Sequence, residues 1–231
     1  SPDERGKTAN VLVQPGNVLY RLESEADIDE VIREHLVGGN VVERLRSREE
    51  PIGRRFFNLY GDIAFFNRQS RVALRNCGVI DPESLDEYIY YRGFEALALA
   101  LEKENPEWVI GELSEAKLRG RGGGGYPTGL KWSMIRKSPE TVRYIICNAD
   151  EGDPGAFMDR GMLESDPFSV IEGMIIGGYA VGARQGFVYI RAEYPMAIRR
   201  LEHALGECKK HGLLGESILG SGHEFDIELR L

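Results

Sequence analysis

A run of glycines flanked by positive charge is the stretch whose residue types most directly suggest chemistry. The run covers residues 122–125, with Gly120 and Arg121 before it and Lys131 after it. Glycine lets the backbone approach a ligand closely, and successive N–H groups in such a loop bind anions. The pattern therefore predicts a phosphate-binding loop, followed by a helix for which Thr128 is the expected N-cap.

Two other interpretations of the glycine run compete with a phosphate loop. A flexible linker would be rich in Gly and Ser, whereas this run is bordered by Arg121, Tyr126 and Lys131. Residues 120–125 also match the fingerprint G-x-G-x-x-G, but that fingerprint requires a strand directly before it. Residues 106–118 instead have apolar side chains at helical spacing. The loop is therefore expected to bind phosphate in an arrangement of its own.

A polar segment directly after an apolar strand forms the second candidate site. Asn148, Asp150 and Glu151 come after the mostly apolar residues 142–146 of a predicted strand. Ligands of parallel α/β sheets bind at the carboxyl ends of the strands, where these hydrogen-bonding side chains lie. The same residue types also form Asx-rich turns that bind nothing. Both interpretations stay open on these residues alone, and the nearby glycine loop favours a binding site.

Strands and helices alternate from residue 142 onward, which predicts an α/β fold. Strands are expected over 142–148, 186–191 and 225–231, and helices over 167–183 and 195–211. This alternation implies a mainly parallel sheet with helices on both faces. We expect Asp166 to cap the helix that begins at Pro167, and the small residues of that helix to let it lie close to the sheet.

The N-terminal part is predicted to be a short helical and extended region. Strands are expected over 11–13 and 18–22 around a turn at Pro15, and a helix capped by Ser24 over 24–34. Mixed charges over 44–55 predict a boundary, which gives an N-terminal arm over 1–50 and an α/β domain over 51–231. The remaining expectations are a core cluster of Phe56, Phe57, Phe65 and Phe66, a strand over 72–76, a helix capped by Asp81, and helices over 94–103 and 106–118.

Composition excludes several classes of function. The formal net charge of −8 argues against nucleic acid and anionic membrane surfaces as partners. No apolar run approaches the roughly 18 residues of a membrane span, so no direct membrane insertion is expected. The three cysteines, Cys77, Cys147 and Cys208, lie far apart and suggest a reducing, cytoplasmic location. They form no C-x-x-C motif, so this chain alone is not expected to ligate an iron–sulfur cluster or another metal.

Together the two motifs resemble a known family. RGGGGYPTGLKW (121–132), followed by CNADEGDPG (147–155), closely resembles the NADH-binding flavoprotein subunit of respiratory complex I. It also resembles the related subunits of NAD(P)-linked hydrogenases and formate dehydrogenases. The resemblance runs from about Asn67 to the end of the chain. Residues 20–45 are similar, more weakly, to the tail of the thioredoxin-like domain that precedes the flavin domain in hydrogenase-type subunits.

The resemblance implies a Rossmann-like domain that binds FMN and NADH. In such subunits hydride passes between nicotinamide and FMN, and no side chain is needed as a catalytic acid or base. The residues implied for FMN are Gly120, Arg121, Gly122, Gly123, Gly125, Lys131, Asn148, Asp150 and Glu151. Those implied for NADH are Tyr126, Lys131, Glu151 and Asp153. This chain has Gly124, Tyr126 and Gly152-Asp153 where the family usually has Ala, often Phe and often Ser-Glu, so the choice between NADH and NADPH stays open.

The resemblance also implies partners and missing segments. The expected partners are NAD(H) or NADP(H) and other subunits of a redox complex: a thioredoxin-like 2Fe-2S subunit, a hydrogenase, a formate dehydrogenase or the complex I arm. The 4Fe-4S and 2Fe-2S clusters would be carried outside this chain. We expect an internal fragment, truncated at its C-terminal end, that binds FMN weakly or not at all by itself. The alternative function is a non-catalytic scaffold with an empty nucleotide site. A phosphate-loop kinase is set aside because G-K-[ST] is missing.

Overall fold

The computed structural model describes residues 9–13, 18–46 and 70–231. The chain divides into two compact units, Ser1–Ser70 and Arg71–Leu231. The turn expected at Pro15, most of the expected boundary segment over 44–55 and the four phenylalanines over 56–66 lie outside the described residues. These expectations, and the boundary itself, stay predictions.

The described part of the first unit contains two paired strands and one helix. Strands β1 (Ala9–Val13) and β2 (Val18–Leu22) pair antiparallel, and helix α1 (Glu25–Glu30) continues as a π-helix over Val31–Val37. Ser24 caps α1 as predicted: its Oγ accepts from Asp27 N at 3.3 Å, and Asp27 Oδ2 accepts from Ser24 N at 3.0 Å. This reciprocal capping box satisfies amides that the helix itself leaves unpaired.

The apolar residues of the helix in the first unit are only partly buried. Val31 is buried, whereas Ile28 and Ile32 are 41% and 46% exposed. Tyr20 is fully buried, and its hydroxyl lies 2.8 Å from His35 Nδ1 and accepts from Val42 N at 3.0 Å. A buried phenol needs such partners, so this one residue ties β2 to the helix and to the segment after it.

A three-stranded parallel sheet forms the centre of the second unit. Its strands are β3 (Tyr144–Ala149), β4 (Gln185–Ile190) and β5 (Asp226–Arg230), in the order β3-β4-β5. The alternation of elements predicted this α/β arrangement correctly. Ala149 pairs with Ile190, so the carboxyl ends of β3 and β4 are level, and residues that follow the two strands come close together.

Seven α-helices in the described part of this unit accompany the sheet. They are α2 (Leu85–Tyr90), α3 (Glu95–Glu102), α4 (Pro106–Glu115), α5 (Thr128–Lys137), α6 (Met158–Ser165), α7 (Pro167–Val181) and α8 (Pro195–Lys210), and a 3₁₀ turn covers Ile218–Gly220. Helix α7 packs on β3 and β4. Helices were expected on both faces, but in the described structure the opposite face is open: Tyr144, Ile146 and Tyr189 are 55%, 69% and 50% exposed there.

Glycines let α7 lie close to the sheet, as the sequence predicted, and also close to α5: a Cβ at Gly177 would lie 3.4 Å from Ile145 of β3. A Cβ at Gly178 would lie 2.5 Å from the Phe225 ring, and one at Gly177 would lie 3.3 Å from the Trp132 ring. These distances are shorter than, or at the limit of, ordinary contact, so the helix could not sit where it does with larger residues. A Cβ at Gly173 would meet nothing within 4 Å.

Two expected elements before α3 are wrong. Residues 72–76 form turns rather than a strand: Asn76 is buried, and its Nδ2 donates to Asp166 Oδ2 at 2.8 Å. The next helix begins at Leu85 with Ser84 as its N-cap. Asp81 cannot serve as that cap because its Oδ1 accepts from Glu83 N at 2.9 Å in a local turn.

A buried carboxylate from α7 caps α3. Phe94, the residue before α3, has φ 61° and provides no side-chain cap. Glu172 accepts instead, from Phe94 N at 3.0 Å, Leu97 N at 3.2 Å and Tyr88 Oη at 2.6 Å. Burial, followed by the Glu172 charge, raises the pKa of Tyr88. Negative charge is favourable at a helix N-terminus, so this contact fixes α3 against α7.

Candidate functional site

The glycine loop is closed at its base by backbone pairing. Gly120 N donates to Tyr126 O at 2.9 Å, and Thr128 N donates to Leu118 O at 2.9 Å. Two arginines add bonds within the loop: Arg119 Nη1 donates to Gly125 O at 3.0 Å, and Arg121 Nη1 donates to Arg119 O at 2.7 Å. The loop therefore projects from a fixed base, which is not the behaviour of a linker.

The tip of this loop has open backbone donors. Among the described residues, the amides of the four glycines at 122–125 donate to no protein acceptor. Gly123 and Gly125 have φ values of +98° and +59°, which favour glycine, and no atom lies within 4 Å of a Cβ built on any of the four. Consecutive unpaired amides with free space around them are suited to an anion such as phosphate.

Helix α5 follows the loop and places Lys131. The helix begins at Thr128 with Pro127 as its N-cap, so the expected capping by Thr128 is wrong. Pro127 has φ −62° and ψ 118°, an extended conformation in which the proline ring fixes φ, and no side chain caps the helix. Gly129 contacts α4 so closely that a Cβ would lie 2.9 Å from Ser114 N. This close crossing sets where Lys131 emerges, a role for Gly129 that sequence reasoning missed.

The second motif forms a tight turn after β3. Asn148 Oδ1 accepts from Asp150 N at 3.1 Å, and Gly152 N donates to Asp150 O at 3.1 Å. The Asx-turn interpretation is thus correct for the backbone. The Glu151 carboxylate accepts from the amides of Asp159 and Arg160 at 3.0 and 3.1 Å. Both amides belong to the first turn of α6, so Glu151 caps this helix. Phe157, the residue before the helix, provides no side-chain cap.

Two residues that the sequence did not single out support this turn. Arg191 directly follows β4, and its Nη1 donates to Glu151 O at 2.9 Å. Tyr194 Oη donates to the same oxygen at 3.2 Å. Arg191 Nε also lies 3.6 Å from Asp150 Oδ1. Their position at the carboxyl end of the neighbouring strand was a usable signal, because parallel strands bring such residues together.

A cavity of about 610 Å³ opens beside β3, one of the two edge strands of the sheet. Helices α5, α6 and α7 supply its other walls, and its polar groups include Lys131, Asn148 and Asp159. The apolar lining includes Trp132, Ile145, Met162, Leu163, Val170 and Met174. The volume is in the range of small-molecule sites, which combine apolar walls with a few polar groups.

The cavity brings together only some of the predicted site residues. Lys131 and Asn148, which come from the two separate motifs, line it together. The remaining predicted site residues are not part of its lining: Gly120, Arg121, Gly122, Gly123, Gly125, Tyr126, Asp150, Glu151 and Asp153. The site assignment from the sequence thus stays a prediction, with Lys131 and Asn148 as the two positions that share a cavity.

Burial changes the acidity of two groups in the cavity wall. It raises the pKa of the Cys147 thiol to about 11. Burial, followed by the nearby Glu151 charge, raises the pKa of Asp159. In both groups burial disfavours the charged form, which favours the protonated thiol and the protonated carboxyl.

The described parts of the chain contain neither a candidate membrane span nor a candidate metal site. No helix there is long and apolar enough to cross a bilayer. No group of three or more His, Cys, Asp or Glu side chains in the same residues could hold a metal ion.

Residues 113–230 match the protein family described as the Nuo51 FMN-binding domain. The NADP-reducing hydrogenase subunit HndC of Solidesulfovibrio fructosivorans is 56% identical over 163 residues, which are 71% of this chain and 33% of that subunit. An NADH-quinone oxidoreductase subunit of Rhizobium meliloti is 46% identical over 158 residues, 68% of this chain and 38% of the relative. The chain thus spans about a third of the length of these relatives.

A solved structure shares the fold. It is the NAD⁺-reducing [NiFe]-hydrogenase in the H₂-reduced state, with a TM-score of 0.51 and 23% identity. The alignment covers 97% of this chain and 34% of the hydrogenase chain.

Proposed function

Because this chain belongs to the Nuo51 FMN-binding domain family, we propose that it forms the FMN- and NAD(P)H-binding part of a multisubunit oxidoreductase. The observation that carries this proposal is the cavity that Lys131 and Asn148 line together. These residues come from two motifs separated in sequence, and the fold brings them to one ligand-sized space. The glycine loop, with its open amides, lies directly before the helix that bears Lys131.

The residues present fit the chemistry of FMN. The amides of Gly122, Gly123 and Gly125, together with Lys131, would hold the phosphate, since charged and backbone N–H donors both bind phosphate well. Asn148 would hydrogen-bond an edge of the flavin ring, and Asp150 would accept from ribityl hydroxyls. When bound, FMN supplies the hydride chemistry, and the protein supplies placement and electrostatics.

The nucleotide would lie on the side of the loop and the turn. Tyr126 is 49% exposed beside the glycine loop, which leaves its ring available for stacking on a nicotinamide or adenine. Glu151 and Asp153 would contact the nucleotide from the turn after β3. Glu151 can do so only if its carboxylate accepts further bonds beside those that cap α6, and a carboxylate has that capacity.

The partners and the location are part of the same proposal. Electrons would pass singly to iron–sulfur clusters carried outside this chain, either on other segments of the full-length subunit or on other subunits of a hydrogenase, formate dehydrogenase or complex I type of assembly. A cytoplasmic location is supported by the free cysteines Cys77, Cys147 and Cys208, which are compatible with a reducing compartment.

A scaffold without a cofactor is the second candidate. Two observations favour it: the Glu151 carboxylate already caps α6, and the glycine loop does not line the cavity. Such a chain would keep the fold and lack the ligand.

Reconstitution with FMN separates the two functions. The purified chain is titrated with FMN, followed by quenching of flavin fluorescence up to high ligand concentration, and the visible spectrum is recorded after free flavin is removed. Saturable quenching supports the FMN-binding function. A chain that stays colourless and quenches no fluorescence at any concentration supports the scaffold.

A further inference from the structure

We propose that Arg191 is a positioning residue, which together with Tyr194 holds the turn over residues 148–152 in the shape that faces the cofactor. The proposal rests on the proposed function for its ligand. The contacts that carry it lie entirely within the second unit.

The parallel register places Arg191 beside the turn. Ala149 pairs with Ile190, so the residues that follow β3 and β4 leave the sheet side by side. From there Arg191 Nη1 donates to Glu151 O at 2.9 Å, and Tyr194 Oη donates to the same carbonyl at 3.2 Å. Arg191 and Tyr194, which both follow β4, thus donate to the same backbone oxygen of the turn that follows β3.

The shape of the guanidinium group suits this place. Besides the bond to Glu151 O, its Nε lies 3.6 Å from Asp150 Oδ1 and its Nη2 lies 3.5 Å from Glu193 Oε1. A planar group with several fixed donors can serve these three oxygens at once, whereas the single ammonium of lysine cannot. The Arg191 side chain is 31% exposed, so water screens these contacts only partly.

Asn148 and Ala149 at the start of the turn pair with β4 in the sheet. Beyond Ala149, the bonds from Arg191 and Tyr194 are the only hydrogen bonds among the described residues that join the turn to β4 or to the segment directly after it. The turn's own bonds, from Asp150 N to Asn148 Oδ1 and from Gly152 N to Asp150 O, close it locally. The Glu151 carboxylate fixes it to α6 on the far side. Arg191 and Tyr194 therefore provide the anchor on the sheet side, and the Arg191 charge lies beside the carboxylates of Asp150 and Glu193.

Amide hydrogen exchange on the cofactor-free protein tests the positioning directly. Arg191→Lys and Tyr194→Phe should each speed exchange at Asp150 and Gly152 by about threefold to tenfold, the factor expected for loss of one hydrogen bond. Amides of β4 should be unchanged. The matched controls are Arg184→Lys, at the other end of β4 in an ion pair with Glu224, and Tyr90→Phe, which is exposed. Exchange equal to that of wild type in both test variants overturns the proposal.

Flavin binding then tests whether the positioned turn serves the site. Where wild type binds FMN, Arg191→Lys should lower the affinity and change the visible circular dichroism of the bound flavin, and the controls should do neither. Identical affinity and dichroism in Arg191→Lys and wild type, despite faster exchange, overturn the link to the cofactor. If wild type itself binds no FMN, the proposed function fails, and the exchange measurement still decides whether Arg191 holds the turn.

Discussion

Lys131 combines exposure to solvent with a position in the cavity wall, and it forms no ion pair with any of the described residues. We expect Lys131→Ala to weaken FMN binding by about 1–3 kcal/mol, the range for a hydrogen bond to a charged group. Isothermal titration with FMN measures this change. Lys137→Ala, in the last turn of the same helix, is the control and should bind like wild type. Equal affinities of Lys131→Ala and wild type would remove Lys131 from the site.

The Cys147 thiol should react only slowly with alkylating reagents at neutral pH. Burial raises its pKa to about 11, and only the thiolate reacts with alkylating reagents. Its labelling by iodoacetamide should therefore be slow at neutral pH and rise about tenfold with each pH unit below that pKa. Mass spectrometry of the labelled peptide measures the rate. The urea-unfolded chain is the control, and equal rates in the folded and unfolded chain would show that Cys147 is not protected.

Whether a site residue could be predicted depends on whether its role is visible in a short stretch of the sequence. Lys131 and Asn148 were predicted as site residues because each belongs to a short motif with a chemical meaning, and the structure places both in the wall of one cavity. The engagement of Glu151 with α6 was missed because nothing in the motif shows that Phe157 fails to cap that helix. Arg191 was missed because its role depends on which strand lies beside β3.

The contact of α7 with its neighbours can be tested on one helix. Gly178→Ala should lower the free energy of unfolding by about 1–3 kcal/mol, because the added Cβ would overlap the Phe225 ring. Gly173→Ala is the matched control: its Cβ meets nothing within 4 Å, so better helix propensity should stabilise the chain by up to about 1 kcal/mol. Urea unfolding followed by circular dichroism measures both. A Gly178→Ala variant as stable as wild type would contradict the close packing.

The helices and strands were predictable wherever apolar residues recur at regular spacing over a long stretch of sequence. Strands β3, β4 and β5 and helices α3, α4, α5, α7 and α8 appear close to their expected positions. The errors come from short segments in which a side chain forms a hydrogen bond within a local turn or with a residue far away in the sequence. Asn76 is bonded to Asp166, 90 residues later, and no pattern within residues 72–76 reveals this.

At the level of the molecule, the second unit should fold by itself. Its main hydrophobic core consists of residues between Ile80 and Ile227. We expect a chain of residues 71–231 to unfold cooperatively and to show the same FMN affinity as the full chain. Thermal unfolding by circular dichroism and FMN titration measure this. A non-cooperative transition in the shorter chain would show that residues 1–70 are needed for the core.

The parallel sheet followed from the alternation of elements, but the cavity did not. Its volume depends on how three helices and the edge of β3 pack around a space, and Gly173 and Gly177 help to line it. The spacing of apolar residues in the sequence shows which face of each helix or strand is apolar. It does not show how much space remains between the packed faces. The open face of the sheet, with Ile146 at 69% exposure, was unpredictable for the same reason.

The cap that Glu172 provides for α3 has a consequence for the order in which the chain acquires structure during synthesis. Phe94 and Leu97 leave the ribosome long before Glu172 is added, 78 and 75 residues later. Until then the first turn of α3 has no side-chain cap, and a helix of 8 residues is marginal without tertiary support. Helix α3 therefore becomes stable only after α7 has emerged, which makes its formation a late event on the nascent chain, although it lies near the N-terminus of this unit.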